Sequence, residues 1–248
     1  MSSVTVTRPR FAAKHRFQTF VEVRRHDTPG VIALAAIGIL EVVGSQFFIA
    51  SDAVNRYGLS AITDGRYQTQ LDVGLAGLFL PFVIAAWLFG KHRPIRVMFR
   101  IAIAVALFDV VTWVIMALGT INTHTGNVGA ATLLADAGVL WVMNVVVFAL
   151  WYWSADGGGP DVRGTSAAKR PDFDFPQQRH EIRGWEGWVP AFHDYLHAAF
   201  VISLTFHPAG TEVLSARAKF INMLQALTSV AILLILVAKA IATFAPGR

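Results

Sequence analysis

The chain has 248 residues and a mass of 27.1 kDa; 54% of its residues are hydrophobic, 15% are charged, and the mean hydropathy is +0.51. Soluble domains carry roughly 25% charged residues, so this composition points to lipid and excludes a soluble enzyme, a disordered chain and a secreted disulfide scaffold. Cysteine is absent, which removes thiolate nucleophiles, Cys-held metals and disulfides, and the net charge of +5 suits an anionic membrane surface better than nucleic acid.

Residues 1–30 interleave Arg8, Arg10, Lys14, Arg16, Arg24 and Arg25 with Phe11, Phe17 and Phe20. They read as a basic interfacial segment or, as an equal alternative, a retained tail; the basic stretch is too long for a cleavable signal. Apolar runs then recur at Val31–Ala50, Leu71–Gly90, Met98–Gly119, Gly129–Trp153 and Phe220–Phe244. Each has about the 20 residues a helix needs to cross a bilayer core. Between the last two runs, Val189–Phe206 is moderately apolar but contains His193, Asp194 and His197. It is better suited to a re-entrant or sixth helix inside protein than to a lipid-facing span. The expected fold is therefore all-α, a polytopic bundle of five transmembrane helices and one further helix. It divides into the basic segment 1–30, a four-helix bundle 31–153, a polar loop 154–187 and a final module 188–248.

Lys91, Arg93, Arg96 and Arg100 follow the second run, which puts that loop in the cytoplasm. The amino terminus is then cytoplasmic and the protein multi-pass in the inner cell membrane. The same count puts 154–187 inside, but its charges nearly balance and leave its side open. Gly157-Gly158-Gly159-Pro160 lacks phosphate-loop spacing and reads as a turn.

Ionisable groups inside a bilayer are candidates for function. Glu41 and Asp109 lie mid-run, and Lys239 lies toward the end of the last run. They would form a polar or proton path, or hydrogen-bond between helices with Gln46, Thr112 and Asn144 as partners. His193 and His197, at i and i+4, share one helix face, with His207 and Glu212 following. Such a set suits Zn or Cu, but no third ligand has a diagnostic spacing, and no metal or cofactor is expected.

The carboxyl-terminal third contains Phe175-Pro176-Gln177, Asp194-Tyr195-Leu196-His197, the stretch from Thr205 to Thr211, and a basic-then-apolar helix from Lys219. In this order the pieces resemble a family of bacterial membrane proteins with a potassium-channel-like module: pore helix, filter and inner helix. The resemblance covers about the last 100 residues. It implies a homo-oligomer with Thr205, Phe206, His207, Pro208, Gly210 and Thr211 in the filter position. The Gly-x-Gly of a potassium filter is missing and Pro208 lacks an N–H, so potassium selectivity is not implied. The reading that follows is a channel-like protein, not an enzyme, passing cations or protons, with His193, His197 and His207 as pH-sensing candidates. The alternatives are a non-conducting scaffold descended from a channel and, behind it, a His-based metalloprotein.

Overall fold

The structure is a computed structural model and describes residues 27–47, 81–89, 92–119, 130–179, 183–208 and 210–244. Residues 1–26 of the expected basic segment 1–30 lie outside the described residues. The elements are α1 (Thr28–Phe47), α2 (His92–Gly119), α3 (Ala130–Ala155), β1 (Phe173–Asp174), α4 (Pro176–Arg179), α5 (Phe192–Thr205), β2 (Glu212–Val213) and α6 (Ala216–Phe244). Residues 81–88 are also helical. The described chain is thus mostly helical, but not wholly so. Phe173 pairs with Val213, and Asp174 with Glu212, in a two-stranded antiparallel ladder.

Helix α3 is central: α1, α2, α5 and α6 all pack on it. Near its carboxyl end, Phe148, Tyr152 and Trp153 join Phe99 of α2, Leu34 of α1, and Tyr195 and Ile202 of α5 in one buried cluster. Nearer its start, Leu140 and Met143 meet Val110 and Val114 of α2 and Ile232 and Ile235 of α6, with Leu40 of α1 alongside. These pairings make α1, α2 and α6 antiparallel to α3. The start of α1 approaches the end of α3 so closely that a Cβ on Gly30 would sit 2.4 Å from the Trp153 ring and 2.8 Å from that of Phe99. Trp87, at the end of the 81–88 helix, donates to Thr28 Oγ1 at 3.3 Å. One end of the bundle thus gathers the starts of α1, α2 and α6.

Between these apolar contacts, α3 and α6 also meet through polar groups. Tyr152 donates its hydroxyl to Gln225 Oε1 at 2.6 Å, and Gln225 Nε2 donates to the Ala199 carbonyl of α5 at 2.8 Å. Asn144 donates to Ser229 Oγ at 2.9 Å and accepts from Thr228 Oγ1 at 2.8 Å. The outward faces are apolar instead: Ile32, Phe108, Phe220, Leu227 and Ile241 are each 64–69% exposed.

Two helical segments, Ala137–Gly158 and Ala216–Ala238, are long and apolar enough to cross a membrane, and Thr28–Glu41 is a shorter apolar helix. Among the described residues, two such spans therefore stand where five are expected. The remaining runs reach beyond the residues and side chains described.

Helix α5 has 14 residues, about 21 Å at 1.5 Å per residue. Asp194 Oδ2 accepts from the Ala191 N–H at 2.7 Å and fixes its start. Phe206, left-handed at φ 59°, ends it. Ser215 caps α6 by accepting from the Ala218 N–H at 3.0 Å.

Replacing Gln225 with Leu leaves the Tyr152 hydroxyl and the Ala199 carbonyl without their partner. It is expected to destabilise the protein by about 1–3 kcal/mol in denaturant unfolding of the detergent-solubilised chain. Adding Tyr152→Phe removes one orphaned donor and is expected to recover part of that loss. The Gly30→Val variant, which drives a branched side chain into Trp153 and Phe99, should cost about as much by the same measurement.

Candidate functional site

The junction after α3 is built on Asp156, which is 2% exposed. The backbone reverses there through Gly158 and Gly159, at φ 94° and 112°, a conformation that side chains with a Cβ rarely adopt. This reversal presents the Asp156 carboxylate to four partners. Oδ1 accepts the backbone N–H groups of Asp172 and Phe173 at 2.6 and 3.2 Å. Oδ2 accepts the Tyr195 hydroxyl of α5 and lies 3.5 Å from Arg163 Nε. Burial pushes the Tyr195 hydroxyl well above the usual phenol range, so it remains a donor.

Arg163 ties the second flank. Its guanidinium donates to the carbonyls of Trp153, Asp156 and Pro190, and it lies 4.8 Å from the centre of the Tyr195 ring. Phe173 and Phe175 pack edge-on against Tyr195, at 5.9 and 5.2 Å between ring centres. Asp172 pairs with Arg217 at the start of α6, and Arg217 donates to the Ala155 carbonyl at 2.8 Å. Leu214 N–H donates to the Asp172 carbonyl at 2.8 Å. Both flanks of α5 are therefore held at the carboxyl end of α3: the chain leaves that end through Pro190 and returns to it at Leu214.

The residues expected in the filter position sit in the returning turn. Thr205 is exposed, and its hydroxyl bonds to the Val201 and His207 carbonyls, both at 2.9 Å. Phe206 and His207 are exposed and Pro208 is buried. Thr211 is buried, and its N–H donates to the Pro208 carbonyl at 3.0 Å. The Gly210 carbonyl accepts from Arg179, which also pairs with Asp174 and Glu212 at 2.8 and 3.0 Å. His193 and His197 project from one exposed face of α5, and His193 Nε2 lies 3.5 Å from Asp194 Oδ1. Phe200 and Leu204 continue that face. Glu41 is buried in α1 and Asp109 half-buried in α2. Lys239 belongs to the last third of α6, with its side chain outside the described set.

Among the described residues, no three His, Cys, Asp or Glu side chains come close enough to hold a metal ion. His193, His197, His207 and Glu212 therefore offer no ligand set there. The sequence reading missed Asp156, Arg163 and the Asp172–Arg217 pair. The local signal is an acid lying between Trp151-Tyr152-Trp153 and three successive glycines, Gly157 to Gly159.

Asp156→Ala orphans three donors and leaves the Arg163 charge buried, which is expected to cost about 3–5 kcal/mol. Thermal unfolding together with limited proteolysis of the 160–190 segment reads it. Removing the charge as well, in Asp156→Ala/Arg163→Met, should be milder than Asp156→Ala alone. No protein-family model, curated protein or solved structure matches the chain.

Proposed function

We propose that this chain is a multi-pass inner-membrane protein whose α3, α5, returning turn and α6 assemble as a homo-oligomer around a cation or proton pathway. The observation that carries the reading is α5. At about 21 Å it is too short for a hydrocarbon core of about 30 Å, and both of its flanks are tied to one end of α3. That is the geometry of a re-entrant helix, and the order outer helix, short helix, turn, long helix is that of a channel pore module. The hydrogen-bonded seam of α3, α5 and α6 and the apolar exterior support placement in lipid, where interhelical hydrogen bonds add to side-chain packing. Arg96, Arg100, Arg163, Lys169, Arg170 and Arg217 all belong to the end where α3 finishes, which supports a cytoplasmic assignment for that end. The exposed stripe His193, His197, Phe200 and Leu204, with Thr205 and His207 at the tip, is the face offered to a neighbouring copy.

One observation favours the second reading, a non-conducting scaffold. The His207 and Pro208 carbonyls are already bonded within the turn, so they do not form a free carbonyl ladder of the potassium-filter kind. Conduction in the proposed pathway rests instead on hydroxyl and imidazole groups.

Purified protein in proteoliposomes, given potassium, sodium and proton gradients separately, tests the proposal. The expected result is flux for at least one ion. Thr205→Val or His207→Ala should lower it by roughly tenfold, the effect of about 1.4 kcal/mol at one pathway group. Folded, inserted protein that is silent to all three gradients would leave the scaffold reading standing.

A further inference from the structure

A cavity of about 590 Å³ opens where α2, the end of α3, the loop that follows it and the start of α6 meet. Arg100, Lys169, Arg170 and Arg217 bring four cations to its wall, against the single carboxylate of Asp172. Arg217 is already engaged with Asp172 and the Ala155 carbonyl. Arg100, Lys169 and Arg170 are exposed, and none has an ion-pair partner among the described residues. The rest of the wall includes an apolar part formed by Ile103 and Leu107 of α2, one and two turns beyond Arg100, and Trp151 of α3. Ala104 also lines the cavity and shares an exposed stripe of α2 with Ile101 and Phe108, at i−3 and i+4.

Surplus positive charge above an apolar wall that continues onto an outward helix face matches an amphiphile with an anionic head. A free anion would use the cations and leave the wall unexplained. Basic pockets between helices at a cytoplasmic membrane surface are suited to anionic headgroups. We infer that this cavity seats the phosphate of an anionic phospholipid, with an acyl chain running down the Ala104 stripe of α2. The inference rests on the membrane placement proposed above and not on conduction.

The test uses the full-length protein in neutral detergent, with phosphatidylglycerol as the probe and phosphatidylcholine and inorganic phosphate as comparators. Binding is read by native mass spectrometry and by the shift in melting temperature. Phosphatidylglycerol should bind and stabilise, while the two comparators should do neither. The triple variant Arg100→Gln/Lys169→Gln/Arg170→Gln should weaken phosphatidylglycerol binding about a hundredfold, at roughly fivefold per charge. The single variants Lys169→Gln and Arg170→Gln should each weaken it about fivefold and keep the test readable if the triple variant does not fold. Arg183→Gln, an exposed loop change outside the cavity lining, should leave binding unchanged.

Equal binding of phosphatidylcholine, stabilisation by inorganic phosphate alone, or undiminished binding by the folded variants overturns the inference. Carbonate extraction of native membranes separates this failure from that of the underlying reading. Protein released by carbonate overturns the membrane placement. Protein that is retained but shows no preference for phosphatidylglycerol overturns the lipid site alone.

Discussion

A buried carboxylate holds this architecture together. Taking Asp156 out of water is strongly unfavourable unless its oxygens are satisfied, and here each oxygen meets two partners. One oxygen gathers the loop backbone at Asp172 and Phe173. The other gathers α5 through Tyr195 and the Pro190 flank through Arg163. Because Asp172 is held this way, its own side chain is placed to meet Arg217 at the start of α6. The end of one helix thereby fixes where two later helices begin.

The same logic continues along α3. Gln225 joins Tyr152 of α3 to the backbone of α5 from its place on α6, so a single amide links three helices. Further along, Asn144 bonds to Thr228 and Ser229. Such contacts specify register better than interchangeable apolar packing does, since each has a defined partner and direction. The exposed faces of α1, α2 and α6 carry Ile, Leu and Phe with no comparable specificity. Position within the bundle is written in polar groups, and the surroundings in apolar ones.

The helices were largely legible in the sequence because an apolar run is a local signal. The run Gly129–Trp153 corresponds to α3 at Ala130–Ala155, and Phe220–Phe244 to the later part of α6. The glycine run was legible as a turn for the same reason. The junction was not. Asp156 and Tyr195 are 39 residues apart, and Asp172 and Arg217 are 45 apart. Pattern reading therefore saw a nearly neutral loop where charges are paired through space. Asn144 was expected among the interhelical partners, and it does bond between helices, but to Thr228 and Ser229. The short strands escaped notice because two residues carry no alternation to read. His193 and His197 share one face as their spacing requires, and the structure adds that this face is exposed.

The short helix also bears on how the protein is made. On its returning side, three hydrogen bonds wait for residues later in the chain than the helix itself: Leu214 on the Asp172 carbonyl, Arg217 on the Ala155 carbonyl, and Gln225 on the Ala199 carbonyl. While α5 leaves the ribosome, α3 and the Arg163–Asp156 junction are already there to receive it, but these later groups are not. Its histidines and its length do not favour independent insertion into lipid. In the membrane placement proposed above, the helix is therefore fully held only once the start of the last long helix has been synthesised.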